Sequence, residues 1–358
     1  MKEIKMQTQY KGWKQQLQAI IDANNRFRDK SKLIASAKTQ SDRAKLLFLF
    51  FNLLRMGGFA VDPPNIKPKH IQLFCNYLAG KGADKKVRSA ATIQSYLSIL
   101  KTFCTWVGKD GMIGNIEQYF EDSSITKRTY AAVKDKGFKA RGIDIHDILN
   151  TMWHDEPYVC MQLLAQSAFG LRCQEALAMR PAIHFVEDNL HLVDGTKNGK
   201  PRIVPIENDY QHAVEKTLKA FIGKVAFSLM DPRKSLLQNM SKYYRVTKKY
   251  GITKKELGVT GHGLRADFVN DFMMGKGLIP LIRGGEIGAL PKDQELEIRL
   301  QASQRMGHNR VGITTAYSGA FTETGKLRAE KANQQQSTNN QKEGDENSDG
   351  VPDPKVVD

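Results

Sequence analysis

Cysteine is scarce. The 358 residues hold four, at 75, 104, 160 and 173, and no interval between them suits a zinc site or a disulfide framework. Each lies in an apolar or helical pattern, so buried, reduced thiols are expected, as in a cytoplasmic protein. Long hydrophobic runs are missing too. The longest, residues 46–51, falls far short of the roughly 20 apolar residues of a spanning helix, and the polar start MKEIKMQTQYKGWK holds no signal-peptide core. No membrane partner is therefore expected. The chain also lacks a glycine-rich phosphate loop and a carboxylate cluster, so neither ATP nor a metal ion is expected as cofactor.

Acidic residues are the other shortage. Lys and Arg number 54 against 38 Asp and Glu, a net charge of +16. Residues 331–358 carry three bases and six acids, net −3, which leaves +19 on residues 1–330. A folded region that basic wants a polyanion, and with membranes disfavoured that means nucleic acid. Hydrophobic residues at 41% and charged residues at 26% suit a folded protein, and the length suits two domains.

The first third reads as helices. Residues 10–30 place Trp13, Leu17, Ile20 and Ile21 on one face with Lys11, Lys14, Arg26 and Arg28 around them, a basic helical extension assigned to 1–38. A second helix is expected from a cap at Thr39 or Ser41, through LLFLFFNLL, to Gly57-Gly58. Asp62-Pro63-Pro64 breaks the chain, a third helix spans 68–78, and Ser89 caps a fourth whose Ile93, Leu97, Leu100 and Phe103 keep helical spacing. Residues 39–120 thus form an all-α domain with lysine-studded faces, Lys85, Lys86 and Arg88 among the candidate DNA contacts.

Residues 121–142 lose this rhythm and gather Lys127, Arg128, Lys134, Lys136, Lys139 and Arg141. That reads as an interdomain linker, either a solvated tether or a strap along phosphates. The second domain, 143–324, mixes helices near 144–152, 157–169, 208–227, 232–249 and 262–274 with strands at 183–186, 190–193 and 202–206. A two-residue turn at Asn198-Gly199 is expected to join the last two strands. Residues 275–298 are glycine-rich and irregular, and 325–358 form a polar, acidic tail expected to be disordered. Ala320, Phe321 and Leu327 are spaced to make one small apolar patch for assembly.

A lone tyrosine near a C-terminus is normally a half-buried packing residue. Here Tyr317 ends MGHNRVGITTAY, nine residues after His308; His262-Gly263-Leu264-Arg265 lies upstream, and Gly170-Leu171-Arg172-Cys173-Gln174-Glu175 before that. In that order Arg172, His262-x-x-Arg265, Gly307-His308 and Tyr317 resemble the active site of tyrosine recombinases, the phage-integrase family, after the manner of proteobacterial prophage and genomic-island integrases. The motifs cover roughly 145–320 and the general layout about 40–140.

The resemblance implies an all-α core-binding (SAM-like) domain and a mainly helical mixed α/β catalytic domain with a small antiparallel sheet. It implies a site-specific recombinase that cleaves and rejoins duplex DNA through a covalent 3′-phosphotyrosine, integrating or excising a mobile element. Tyr317 would be the nucleophile. Arg172 and Arg265 suit the phosphate because guanidinium forks bind two oxygens at once. His308 would donate to a non-bridging oxygen, and His262, on the same helix face as Arg265, could take the tyrosine proton. Family members carry a lysine at a hairpin tip as general acid, in a pattern like GKxxKxRxVP. Thr196–Pro205, TKNGKPRIVP, matches with Lys197 in that slot and Lys200 across the turn, so spacing leaves the two interchangeable. Glu175 reads as a supporting i, i+3 partner of Arg172. Three departures stand out: Asp267 beside the phosphate-binding face, a long span from Arg265 to His308, and a long acidic tail. Implied partners are double-stranded attachment-site DNA, three further copies in a tetramer on DNA with a free monomer, and excision or architectural accessory proteins. The implied place is the cytoplasm, at the nucleoid when bound. Rival readings are a type IB topoisomerase-like enzyme and a DNA-binding protein with a degenerate site.

Overall fold

The computed structural model describes residues 12–28, 33–196, 199–223 and 227–345. The chain folds as two compact units, Met1–Thr129 with Ala332–Asp358, and Tyr130–Lys331.

The first unit is built from α1 (Trp13–Asn24), α2 (Ala37–Met56), α3 (Pro68–Leu78) and α4 (Ala90–Trp106). The near-continuous hydrophobicity of α2 makes it the centre of the bundle. Phe50 and Phe51 are fully buried, meeting Phe74 and Phe103 edge-on with centroids 5.3 and 5.6 Å apart. Truncating either phenylalanine to Ala removes packing of about 3–5 kcal/mol. The cap of α2 is Ser36, whose hydroxyl accepts from the Thr39 N–H at 3.1 Å, so the helix starts ahead of the expected Thr39 or Ser41. Ser89 caps α4 in the same way through Thr92. The 1–38 extension needs correction. Leu17, Ile20 and Ile21 of α1 are buried in the same core as α2–α4, and the helix stops at Asn24, after which Phe27 bridges Ile34. Lys11 lies outside the described residues.

The second unit carries α5 (Ile145–Met152), α6 (Pro157–Phe169), α7 (Cys173–Ala178) and α8 (Pro181–His184). There follow β1 (Phe185–Val186), β2 (Asn189–Leu192) and β3 (Arg202–Pro205), then α9 (Asp209–Ile222), α10 (Leu236–Lys249), α11 (Gly261–Gly275), α12 (Lys292–Arg305) and α13 (Thr315–Ser318). The last helix, α14 (Glu323–Asp345), runs on past this unit's end. Nearly all of α6 is buried, its two glutamines included: Gln162 donates to the Leu229 carbonyl at 2.6 Å while its Oε1 finds no partner, and Gln166 accepts from Tyr243 at 2.6 Å.

The sheet is antiparallel in the order β1-β2-β3, as expected, but its edges differ. Residues 181–184 are helical, because Pro181 suits a first helical turn. A two-residue turn at 198–199 would put Asp194 opposite Ile203. The observed partner of Ile203 is His191, and the ladder ends at Leu192–Arg202. The connection is therefore the nine residues 193–201 rather than a tight turn.

The 121–142 linker is also corrected. Its first part, through Thr129, belongs to the first unit, with Thr126 buried. Its second part is folded against the second unit, not a solvated tether: Ala132 and Phe138 are buried, and a Cβ on Gly137 would collide with the Asp267 carboxylate. The bases in it still face outward, Lys134, Lys136, Lys139 and Arg141 all being exposed.

At the C-terminus the expected disordered tail is instead helical as far as Asp345; residues 346–358 lie outside the described ones. The expected 320–327 patch does not exist as one surface. Ala320 and Phe321 are buried, Phe321 among Val269, Met273, Ile298 and Met306 with the Arg299 guanidinium 3.9 Å from its ring centroid, while Leu327 is 55% exposed. Ending the chain after Gly319 should therefore unfold the second unit more readily, lowering its thermal midpoint by about 6 °C or more. Removing only 331–358 should leave that midpoint nearly unchanged. Equal midpoints for the two truncations, measured by scanning calorimetry, would refute this account of Phe321.

Among the described residues no helix is long and apolar enough to cross a membrane. No group of three or more His, Cys, Asp or Glu there could hold a metal ion. Burial pushes the thiols of Cys75, Cys160 and Cys173 up to about 12 and Cys104 to about 11, so they stay protonated.

Candidate active site

Arg172 follows the turn that ends α6 and starts α7. Its backbone N–H donates to Glu175 Oε2 at 2.8 Å and its Nη1 to Oε1 at 2.6 Å. Glu175 is fully buried and accepts a second guanidinium, Arg202 Nη2, at 2.8 Å, with Arg265 Nη1 3.9 Å away. One carboxylate thus serves three arginines. Burial alone would raise its pKa, but the charges and hydrogen bonds of Arg202 and Arg172 hold it down at about 2. An exposed i, i+3 pair would contribute only a few tenths of a kcal/mol; this arrangement is of another order. Glu175→Ala would strand Arg265 and Arg202 as buried charges, a loss of about 3–5 kcal/mol. A urea midpoint that does not move would contradict this.

The guanidiniums are also tied to backbone carbonyls. Arg265, with no exposed surface, donates to the carbonyls of Gly170 and Met306. Arg172 Nη2 reaches the same Met306 oxygen at 3.2 Å, and Arg202 donates to the Arg305 carbonyl. Arg202 passes beneath Gly307, where a Cβ would come within 2.7 Å of its Cδ. The Gly307-His308 turn is thereby fastened to β3. In the sequence Arg202 stands only as a letter of the hairpin pattern. Its signal is the two-residue period of its strand, on which Arg202 shares the inner face with Val204.

His308 Nε2 accepts from Arg172 Nη2 at 2.9 Å, which places the imidazole proton on Nδ1. Tyr317, on the short α13, packs its ring against the Val269, Met273 and Met306 cluster, and its hydroxyl accepts from Arg265 Nε at 3.3 Å. Asn270 of α11, another residue not singled out from sequence, donates to the Tyr317 carbonyl at 3.3 Å and accepts from Ser318 at 2.7 Å. His262 lies with its ring centroid 5.7 Å from that of Tyr317. Its side chain keeps contact with solvent, yet the packing around the imidazole, then the charges of Arg265, Arg172 and Lys136, push its pKa down to about 4. It is neutral near pH 7 and able to accept a proton.

The structure thus brings Arg172, Glu175, His262, Arg265, His308 and Tyr317 together. Lys197 lies outside the described residues; Lys200 is exposed on the 193–201 connection. Asp267, expected beside the phosphate-binding face, faces the other way: it accepts from the Phe138 N–H at 2.6 Å and pairs with Arg283 at 2.8 Å. Of the candidate DNA contacts, Lys85, Lys86, Lys127 and Arg128 are exposed on the first unit, whereas Arg88 is half-buried and bonded to Tyr77 and Asp84.

The sequence model of a family described as Integrase matches residues 127–271, which includes Arg172 and Arg265 and stops before His308 and Tyr317. No curated protein matches in sequence. The fold is similar to that of a lambda integrase dimer bound to a COC′ core site, at 13% identity, covering 86% of this chain and 96% of that one with a TM-score of 0.55. It is also similar to a variant Tn1549 transposon integrase in complex with a circular intermediate DNA, at 15% identity, covering 89% and 99% with a TM-score of 0.51. At such identities the likeness is one of fold.

Proposed function

We propose that the chain is a tyrosine recombinase, a site-specific DNA integrase working through a covalent 3′-phosphotyrosine; the integrase family model over 127–271 and the integrase-like fold support this. The observation that carries this reading is the Tyr317 hydroxyl held 3.3 Å from Arg265 Nε, in a site where Arg265, Arg172 and His308 converge. Tyr317 Oη attacks the scissile phosphorus, the bond to the 5′ oxygen breaks, and the tyrosine proton passes to neutral His262. Lys197 or Lys200 protonates the departing oxygen. The guanidiniums of Arg172 and Arg265 neutralise the charge that builds on the non-bridging oxygens. Because the phosphotyrosine keeps the phosphodiester energy, attack by a 5′ hydroxyl rejoins the strand with no other energy source.

Duplex DNA is the partner, as it is for the lambda and Tn1549 integrases of similar fold. The helical unit, with Lys85, Lys86 and Lys127, and the exposed bases of 130–142 supply phosphate contacts, and four protomers exchange strands between two sites. Excision or architectural proteins would set the direction, and the work would take place at the nucleoid in the cytoplasm. The test uses duplexes tiled across the DNA flanking its own gene, each nicked so that cleavage traps the adduct, in buffer containing EDTA. The expected result is a protein–DNA band surviving denaturation, with the nucleotide mapped to the Tyr317 peptide. Adduct on another residue, or cleavage restored only by magnesium, would overturn the reading. Relaxation of supercoils without paired sites would turn it toward a topoisomerase, and binding without any adduct toward a non-catalytic protein.

A further inference from the structure

The glycine-rich stretch between α11 and α12 contains one helical turn, Leu281–Arg283, which sits beside the tyrosine segment. Gly319, two residues after Tyr317, has φ +87°, and a Cβ there would meet Ile282 Cγ2 at 3.0 Å and Leu281 Cβ at 3.3 Å. On another side the tyrosine helix is held by the 130–142 strap: the Ala132 N–H donates to the Thr315 carbonyl at 2.8 Å. Arg283 joins these two supports. Its side chain is only 13% exposed, and its three nitrogens reach three carboxylates on two segments. Nε meets Asp135 of the strap at 2.7 Å, Nη2 meets Asp267 at 2.8 Å and Nη1 meets Asp271 at 2.6 Å, the last two on α11. Asp267 in turn accepts from the Phe138 N–H, and Asp271 also takes Lys139 Nζ at 2.9 Å.

We infer that Arg283 is a positioning residue for Tyr317, fastening both supports of the tyrosine helix to α11, the helix that carries Arg265 and His262. It never touches the reacting atoms. A guanidinium suits this place because its planar fork spreads three nitrogens in fixed directions, one toward each carboxylate, where an ammonium would offer a single nitrogen. The 276–291 stretch would thus be a buttress that keeps the nucleophile in its own protomer's site. This rests on Tyr317 being the nucleophile.

The test compares Arg283→Gln, Asp135→Asn and the double variant with the wild type, all as full-length chains. Asp135→Asn unties only the strap arm and keeps Arg283 paired on α11, so it probes the idea even should Arg283→Gln fail to fold. At saturating nicked duplex, adduct formation should slow at least about tenfold in each single variant, while the Kd for the duplex shifts less than about twofold. Loosened positioning acts on the chemical step and not on ground-state binding. The double variant should be scarcely slower than Arg283→Gln, because both remove one shared contact. Without DNA, amide exchange should quicken at residues 132 and 315–319 and stay as in wild type along α6. Adduct rates within twofold of wild type would overturn the proposal, as would exchange quickened equally along α6. An inactive wild type, by contrast, would strike at the recombinase reading, and the exchange pattern would still judge the buttress.

Discussion

Tyr317→Phe is expected to bind DNA as the wild type does and to form no covalent adduct. The substitution removes one oxygen. The ring keeps its packing against the Val269, Met273 and Met306 cluster, and the lost acceptor for the buried Arg265 Nε, 3.3 Å away, costs about 1–3 kcal/mol of stability. The phosphate-binding side is untouched, since Arg265 stays tied to the Gly170 and Met306 carbonyls and Arg172 to Glu175. The loss should fall on cleavage alone, by roughly 10⁴-fold or more, the scale on which removal of a nucleophile acts. A denaturing gel and a binding titration on the same duplex separate the two. Adduct surviving in the variant would mean that another residue attacks.

The second large effect concerns the general acid. If Lys197 protonates the leaving 5′ oxygen, Lys197→Ala should cleave ordinary DNA ~10²–10⁴-fold more slowly, the usual contribution of acid catalysis. Replacing that bridging oxygen with sulfur gives a leaving group that departs readily as an anion, so the defect should largely vanish on the sulfur substrate. Arg172→Ala should stay defective on both, because its charge is needed on the non-bridging oxygens. Lys200→Ala should lose affinity on both alike. The ladder of β2 and β3 ends at Leu192–Arg202, so Lys200 lies on the connection beyond the paired strands. Sulfur rescue of Lys200→Ala would make Lys200 the acid.

The sequence spoke most clearly where the information is local. Pro68–Leu78 is the third helix with the bounds its breaker and apolar rhythm suggest, and Ser89 caps α4. The order of Arg172, His262, Arg265, His308 and Tyr317 was legible because each residue type is dictated by what it would do to a phosphate. What periodicity could not carry is the identity of distant partners. Nothing near Glu175 in sequence says that Arg202 and Arg265 end on it. Phe321 looked like a docking residue because the cluster that covers it comes from α11 and α12. That residues 130–142 pack against the second unit could not be read locally, because the carboxylates and the glycine turn that hold them lie about 130–150 positions further on. The hairpin register failed for a related reason: Asn-Gly is a strong local turn signal, yet the pairing follows the inward faces of Leu190, Leu192 and Val204.

The sharing of Glu175 has a consequence for which charge state the site prefers. Arg202 and Glu175 neutralise each other inside the protein, so Arg172 and Arg265 are left with two positive charges facing the reaction. A phosphodiester at rest carries one negative charge; the five-coordinate phosphorane on the way to exchange carries two. The electrostatic match therefore improves as the phosphorus is attacked, which is the condition for binding to accelerate a reaction instead of merely holding its substrate. A five-coordinate mimic of that phosphorane, such as vanadate bonded to both the Tyr317 oxygen and a 5′ hydroxyl, should then be held far more tightly than the resting phosphodiester.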